Sequence, residues 1–133
     1  MYMLDTNTCI FAMKQQGNVL RHILKHDPEE ICISSITYAE LCCGVEKSLR
    51  QEQNRIALLL FLSEITIVPY DAKAAEEYGL IRASLEQQGT PIGPMDMLIA
   101  SHAKAAGAVI VTNNLKEFRR IDALKIEDWY RQV

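Results

Sequence analysis

Met1-Tyr2-Met3-Leu4-Asp5-Thr6-Asn7 opens the chain, and its apolar half runs directly into a carboxylate, a hydroxyl and an amide. Because N-termini are usually polar and frayed, this pattern predicts that the chain enters a sheet at once. Asp5 would then lie at the carboxyl end of the first strand, where ligands bind in open α/β sheets. The alternative is that Asp5 or Thr6 only caps a helix over about Thr8–Lys14.

The composition is that of a globular protein, since 49% of the 133 residues are hydrophobic and 23% are charged. We expect a single domain over residues 1–133. The longest apolar run, Ile56–Leu62, is far shorter than the ~20 residues that cross a bilayer. No export signal is recognisable, so a cytoplasmic protein without membrane contact is the expectation. The net charge of −3 excludes nucleic-acid binding by bulk charge and requires a local basic patch for it.

Cysteine and histidine spacing does not indicate a metal site. The four cysteines form no CxxC pair, so we expect reduced, mostly buried thiols. His22 and His26 have the spacing of a helical metal pair, but no third ligand follows nearby. We therefore expect two ordinary surface histidines.

Short apolar segments alternate with helical patterns along the chain. After the opening strand, strands are expected at Ile31–Ile33, Ile65–Val68, Ala108–Thr112 and Leu124–Ile126. Helices are expected over Thr8–Lys14 and Val19–His26, from about Thr37, over Ile56–Leu62, after an Asp71 N-cap, and from Pro94 to Gly107, with a polar break over Ser48–Asn54 and a turn at Asn113-Asn114. This alternation predicts one α/β domain with a central, mostly parallel sheet of four to five strands and helices on both faces.

Asp96 is an acid on a face that should be apolar. At helical spacing it shares that face with Ile99, Ala100 and Ala103, which should pack against the sheet. An acid in the first turn after Pro94 also favours the helix dipole, which explains an acid near the helix start but not its inward position.

Glu40 has a similar setting and a stronger structural alternative. Ile36 and Cys43 flank it at helical spacing, which indicates an inward face. However, Thr37 and Glu40 also form the spacing of a capping box, which requires no function.

Taken together, the three acids suggest a metal site. Asp5 follows a strand, and Glu40 and Asp96 begin helices that follow loops at the same end of a parallel sheet, so we expect all three along one edge. Carboxylates that share a dry pocket repel each other unless a cation holds them, and all-oxygen ligands favour Mg²⁺ or Mn²⁺. Such an ion can support an in-line displacement at phosphorus. Four further side chains at this edge would complete its surroundings, although each also suits an ordinary turn or cap: Thr6, Asn7, Thr112 and Asn114.

Four blocks in this order carry a family resemblance: Met3–Asn7, Ser34–Leu41 with Gly44, Ile92–Ala100, and Val111–Asn114 with Phe118. With them the chain resembles the PIN-domain family, in particular its VapC-type toxin ribonucleases, over nearly its whole length. The resemblance implies an endoribonuclease whose Mg²⁺ or Mn²⁺ ion is held by Asp5, Glu40 and Asp96. The family often has a fourth acid where this chain has Asn114. Glu117, one turn later, could partly replace it, which leaves a second metal position open.

The resemblance also implies partners. Toxins of this kind are usually homodimers and are inhibited by a cognate VapB-type antitoxin that covers a groove and reaches the active site. Relatives cut structured RNA, often tRNA. Five cations are candidates for contacts with RNA phosphates, although each could equally be a solvated surface charge: Lys47, Arg50, Lys116, Arg119 and Arg120. The Ile56–Leu62 run has more apolar surface than one helix face can bury, which makes it a candidate homodimer interface.

Two other functions are compatible with parts of the pattern. Asp5 after a first strand is similar to the nucleophile of haloacid-dehalogenase phosphatases, although that pattern requires a second Asp where this chain has Asn7. A non-catalytic, PIN-like binding module is the other alternative, and Asn114 in place of an acid favours it.

Overall fold

A computed structural model describes all residues, 1–133, and contains five strands and seven α-helices. In chain order these are β1 (Tyr2–Leu4), α1 (Thr6–Met13), α2 (Val19–Lys25), β2 (Ile31–Ser34), α3 (Ser35–Lys47), α4 (Gln51–Leu62), β3 (Thr66–Val68), α5 (Ala72–Gln87), α6 (Pro94–Ala106), β4 (Val109–Val111), α7 (Leu115–Phe118) and β5 (Ile126–Glu127). No helix has both the length and the apolar character needed to span a membrane.

The five strands form one sheet in the order β3-β2-β1-β4-β5, and every pairing is parallel. β1 lies in the middle, where Met3 pairs with Cys32 on one side and with Ile110 on the other. The predicted α/β architecture is confirmed, with five strands. Because the chain winds outward from β1 to β3 and then from β4 to β5 on the other side, β1 and β4 border the topological switch point. Ligands bind beyond the carboxyl ends of the strands at such a point.

Apolar side chains cover both faces of the sheet. On one face α5 and α6 pack against the strands, through side chains that include Ile81, Ile99 and Ile110. On the other face α1, α3 and α4 do so, through side chains that include Cys9, Leu41 and Leu58. Helices therefore lie on both faces, as predicted.

The structure corrects the start of α3. Ser34 is its N-cap, because the Ser34 hydroxyl oxygen accepts a hydrogen bond from the N–H of Ile36 at 3.1 Å. Thr37 consequently lies inside the helix, and Glu40 bonds to a residue of another helix. The alternative of a Thr37–Glu40 capping box is wrong. The other predicted helix signals are confirmed: Asp71 caps α5, Pro94 occupies the first turn of α6, and Gly107 ends α6 in the left-handed conformation.

α4 also begins earlier than predicted, at Gln51 rather than near Ile56. Its first residues are polar and exposed, so no apolar periodicity marks them. Good intrinsic helix formers such as Gln and Glu extend the helix there. The ion pair between Arg55 and Glu46 links this exposed part of α4 to α3.

His22 of α2 and His26, its C-cap, are structural rather than ordinary surface residues. His26 stacks on Trp129 with ring centroids 4.9 Å apart, and His22 stacks on it at 5.4 Å. Trp129 is almost fully buried. The C-terminal segment is thereby held against α2, a contact for which local spacing gives no signal.

Candidate active site

Asp5 lies where the opening stretch places it, immediately after β1. Its N–H donates to the carbonyl oxygen of Val111 at 3.0 Å, which extends the pairing of β1 with β4. Its carboxylate accepts a hydrogen bond from the N–H of Thr8 at 2.9 Å and so caps α1. Capping is therefore real, but it does not account for burial, since Asp5 is only 4% exposed.

Burial raises the pKa of Asp5 above its ordinary value, and hydrogen bonding with Thr112 and Thr8 partly offsets this rise. The negative charge of Glu40 raises the Asp5 pKa further. A capping carboxylate would instead be stabilised as the anion by its helix. Asp5 thus lies in an environment that disfavours its charge.

Glu40 faces the same crevice from α3. Its carboxylate accepts a hydrogen bond of 2.5 Å from the hydroxyl of Thr6, which belongs to the first turn of α1. This bond joins residues that are 34 positions apart in the chain. Thr6 therefore orients the Glu40 carboxylate, while Asn7 lies exposed beside it.

Asp96 approaches from the first turn of α6. The residues that share its face, Ile99, Ala100 and Ala103, are fully buried, as the spacing predicts. Burial raises the pKa of Asp96 to about 6, and the charges of Asp5, Glu117 and Glu40 add to the shift. A carboxylate whose proton affinity responds to three others must share a poorly solvated space with them.

Glu117 enters the site through α7, a one-turn helix that the sequence pattern does not reveal. The side-chain amide of Asn114 donates to the Glu117 carboxylate at 2.7 Å, and the Asn114 N–H donates to the hydroxyl oxygen of Thr112 at 3.0 Å. Thr112 is fully buried beside Asp5. Asn114, the neutral residue at the position of the family's fourth acid, thus orients the carboxylate of Glu117.

Four carboxylates therefore face one crevice at the switch point, and none of them forms an ion pair with a lysine, arginine or histidine. No three of them converge tightly enough to enclose an ion by themselves. Mg²⁺ usually keeps several waters and uses only one or two direct carboxylate ligands, so an open set of oxygen donors suits it. Asp5, Asp96, Glu40 and Glu117 are the residues that could hold such an ion.

A groove of about 350 Å³ leads away from the site between α1, α3 and α4. Glu40 lies at its edge, and its other lining residues are mostly apolar, among them Ile10, Leu41 and Leu58. Gly44 contributes to its floor, and a side chain there would meet no other atom within 4 Å. Lys14 and Asn54 are its polar members apart from Glu40.

The comparisons with known proteins agree with this arrangement. The model of the PIN domain matches residues 2–124. The chain belongs to the PIN-domain family. It is 48% identical to the "tRNA(fMet)-specific endonuclease VapC" of Salmonella typhimurium over 128 residues, which cover 96% of this chain and 97% of the relative. It is also 48% identical to "Ribonuclease VapC2" of Rickettsia felis over 132 residues, again with 96% and 97% covered. The resemblance to the VapC ribonucleases is thereby confirmed.

Solved structures of VapC-type PIN proteins have the same fold. The structure of VapBC2 from Rickettsia felis bound to a promoter DNA fragment aligns with a TM-score of 0.90 at 46% identity, covering 96% of this chain and 98% of the solved one. DNA-bound VapBC from Salmonella typhimurium aligns with a TM-score of 0.91 at 48% identity, covering 96% and 97%.

The five candidate RNA-contacting cations of this PIN-domain protein do not form one group. Lys116 and Arg119 are exposed on and just after α7, close in sequence to Glu117. Lys47 is exposed two helical turns after Glu40, and Arg50 is exposed at the N-cap of α4. Arg120 differs, because it donates to the carbonyl oxygen of Pro91 at 2.9 Å and lines a separate cavity. Arg120 therefore lies apart from the other four cations, and its contact with RNA stays a prediction.

Two contributions to the PIN site have no clear signal in the sequence. Thr8 is buried, contacts Asp5 through its N–H, and donates its hydroxyl to the carbonyl oxygen of Val111 at 3.1 Å. Thr8 directly follows the Asp5-Thr6-Asn7 motif, so the helical periodicity of α1 could have predicted that its side chain faces the sheet. Lys14 enters the groove only because α1 packs beside α3, which no local pattern reveals.

The crowded carboxylates predict that Asp96→Asn stabilises the metal-free protein at neutral pH. A carboxyl whose folded pKa is about 6 and whose ordinary value is 3.8 destabilises the fold above pH 6, and this cost disappears as the pH falls below the ordinary value. We expect the asparagine variant to gain about 1–2 kcal/mol at pH 7.5, after discounting for partial exposure and the lost helix-dipole contact. Thermal unfolding with a chelator present measures the difference.

The pH dependence provides the control. At pH 4 both proteins carry an uncharged side chain at this position for most of the time, so their melting temperatures should converge. A gain of equal size at pH 4 and pH 7.5 would show that charge crowding is not its cause.

Proposed function

We propose that this PIN-domain protein is a Mg²⁺- or Mn²⁺-dependent endoribonuclease and the toxin of a toxin–antitoxin pair. The observation that carries the proposal is the set of four carboxylates that face one another at the switch point without an ion pair from the chain. Such a set is costly for a fold and is explained by the binding of a cation. The names of the VapC relatives support RNA hydrolysis as the use of that cation.

Each residue has a separate task in this proposal. Asp5 and Asp96 would be direct ligands, because the site raises the pKa of both acids and a bound cation would stabilise their charged forms. Glu40, held by Thr6, would either accept a hydrogen bond from a metal-bound water or coordinate the ion directly. The bound ion would supply an activated water and neutralise charge on the scissile phosphate. Thr112 and Thr8 keep the Asp5 carboxylate oriented.

We propose tRNA as the substrate class, since the Salmonella relative is named for tRNA(fMet). Lys116 and Arg119 lie on and just after α7 near Glu117 in the chain, whereas Lys47 ends α3 two turns after Glu40 and Arg50 is the N-cap of α4. Cations on two sides of an acidic crevice can hold phosphates on either side of the cleaved bond. The local basic groups thus offset a net charge that is unfavourable for RNA.

We further propose that a VapB-type antitoxin inhibits this protein through the groove beside Glu40. The related structures from Rickettsia felis and Salmonella typhimurium are VapBC assemblies. The groove is mainly apolar, ends at an acid of the site and contains Lys14, so an antitoxin segment with apolar and charged residues would suit it. Occupation of the groove at Glu40 would exclude RNA from the crevice.

The protein is also proposed to be a homodimer, with α4 at its interface. Ile56, Leu59 and Leu60 of α4 are 54%, 58% and 70% exposed, which leaves an apolar surface that water contacts. Adjacent exposed apolar side chains of this kind are typical of interaction surfaces.

The two alternatives are distinguished by chemistry. A haloacid-dehalogenase reaction requires Asp5 to attack phosphorus, which would leave a phosphoaspartate that can be trapped. A binding module without activity would retain Mg²⁺ and cut nothing when prepared free of antitoxin.

The central experiment compares RNA cleavage by the parent and by Asp96→Asn. Protein free of any partner is incubated with total RNA and Mg²⁺, and new ends are mapped by sequencing. We expect the parent to produce discrete ends and the variant to lose at least about 100-fold in rate, since one charge leaves the ion's surroundings. Asp27→Asn is the control, because Asp27 is exposed and its side chain caps nothing. Equal cleavage by parent and Asp96→Asn would refute the assignment of Asp96.

Substitutions at Asn114 and at Glu117 should have opposite effects on metal binding. Asn114→Asp adds a carboxylate and should tighten Mn²⁺ binding in the absence of RNA, whereas Glu117→Gln removes one and should weaken it. The effect of Asn114→Asp on turnover is left open, because a more stable ground state gains nothing in the transition state. Calorimetric titration measures both variants. Unchanged affinity in both would show that α7 does not contribute to the metal site.

The homodimer is tested by introducing a charge on the exposed apolar face of α4. Leu60→Glu should convert a dimer into a 15.1 kDa monomer in light scattering at micromolar concentration. Leu80→Glu is the matched change on α5, where a leucine is exposed to a similar degree, 68% against 70%. A parent that is already monomeric contradicts the dimer, and dissociation by Leu80→Glu alone would place the interface on α5.

A further inference from the structure

A buried serine–histidine pair lies behind the site. The Oγ of Ser34 and the Nδ1 of His102 are 2.7 Å apart, and the two residues are 0% and 2% exposed. The Ser34 oxygen already accepts the N–H of Ile36, so its hydroxyl proton is free to donate to Nδ1. Donation in this direction corresponds to a neutral imidazole with its proton on Nε2. Burial lowers the pKa of His102, in agreement with a neutral ring.

The pair cannot be a nucleophile and its base. No substrate reaches a side chain that is fully buried, and Ser34 is committed to capping α3. Its position suggests another use. Ser34 begins the helix that carries Glu40, and His102 belongs to the helix that carries Asp96.

The two acids stand at matching distances from this hydrogen bond. Glu40 lies six residues after Ser34 and Asp96 six residues before His102, which is about 9 Å along each helix. α3 and α6 lie mainly on opposite faces of the sheet but contact each other, and no direct bond joins their two acids. The hydrogen bond between Ser34 and His102 is therefore the polar link that sets the relative position of the two helices near the site.

We propose that Ser34 and His102 are positioning residues, which hold α3 and α6 so that Glu40 and Asp96 can share one metal ion. The inference rests on the metal site of the proposed function and extends it to residues that touch neither ion nor RNA. Mg²⁺ requires near-ideal octahedral geometry, so a small shift of one helix is enough to weaken its binding. The link acts through helix position and not through charge, because both partners are neutral.

A second polar contact of α6 supplies a matched control. The hydroxyl of Tyr70 lies 2.9 Å from the Oγ of Ser101 and 3.2 Å from the carbonyl oxygen of Ala74. The hydroxyl links α6 to the start of α5 and makes no bond to α3, and the Tyr70 ring, which packs edge-on against His102, is kept in a phenylalanine variant. Tyr70→Phe removes this partly buried hydrogen bond and keeps the Tyr70 N–H, which donates to Ser35 at the start of α3. It should therefore cost stability without moving Glu40 relative to Asp96.

The test compares Mn²⁺ affinity by calorimetry with thermal stability. His102→Leu removes the acceptor at similar volume and should weaken Mn²⁺ binding about tenfold, as loss of a supporting hydrogen bond does at metal sites. His102→Asn places an amide oxygen near the position of Nδ1 and should recover most of that affinity. Tyr70→Phe should lower the melting temperature and leave the affinity unchanged. Ser34→Ala and Ser34→Thr repeat the loss and the recovery from the other side if His102→Leu does not fold.

Nitrogen NMR of the His102 ring gives a readout that needs no metal. We expect a protonated Nε2 and an unprotonated Nδ1 in the parent at neutral pH. A doubly protonated, charged ring at neutral pH, or a His102→Leu variant that binds Mn²⁺ as the parent does, would overturn the inference. A parent that binds no Mn²⁺ while its ring has the expected tautomer would instead refute the proposed metal site.

Discussion

Negative charge confined to a poorly solvated crevice is the constraint on which the rest of this structure depends. Asp5 is nearly fully buried, and the proton affinity of Asp96 rises in response to Asp5, Glu117 and Glu40. No lysine or arginine compensates these charges, so the fold bears their cost in the absence of a bound cation. Stability is given up at this edge of the sheet, and two well-packed cores on the faces of the sheet support it.

The short strands explain why so few residues define the site. β1, β3 and β4 have three residues each, so in these strands only one or two residues separate the core from the carboxyl edge of the sheet. Leu4 is fully buried and its neighbour Asp5 is already at the crevice. A single step of register along β1 would exchange these two environments. The pairing of Leu4 with Val111 therefore fixes the place of the first acid.

The architecture, and the proximity of three acids at one edge of the sheet, could be predicted from sequence because their signals are local. Apolar runs of strand length, breakers between them and an acid on an apolar helix face each involve a few neighbouring residues. What could not be predicted depends on contacts between distant segments. Glu40 fits a capping box by spacing, and only the packing of α1 beside α3 brings Thr6 to it instead. α7 is too short for periodicity, and α4 begins with polar residues that no core selects.

Helix starts give the crevice a second electrostatic character. α1 and α3 begin directly after β1 and β2, α7 begins shortly after β4, and Asp96 lies in the first turn of α6, so the positive ends of four helix dipoles point toward this edge. Such ends attract phosphate. The carboxylates placed among them repel it, and fixed partial charges cannot cancel four full ones. An RNA phosphate is therefore attracted or repelled according to whether a cation lies between it and the acids. In the proposed function, binding of substrate and binding of metal would be coupled by this arrangement, because the same carboxylates that would attract the ion would exclude the phosphate without it.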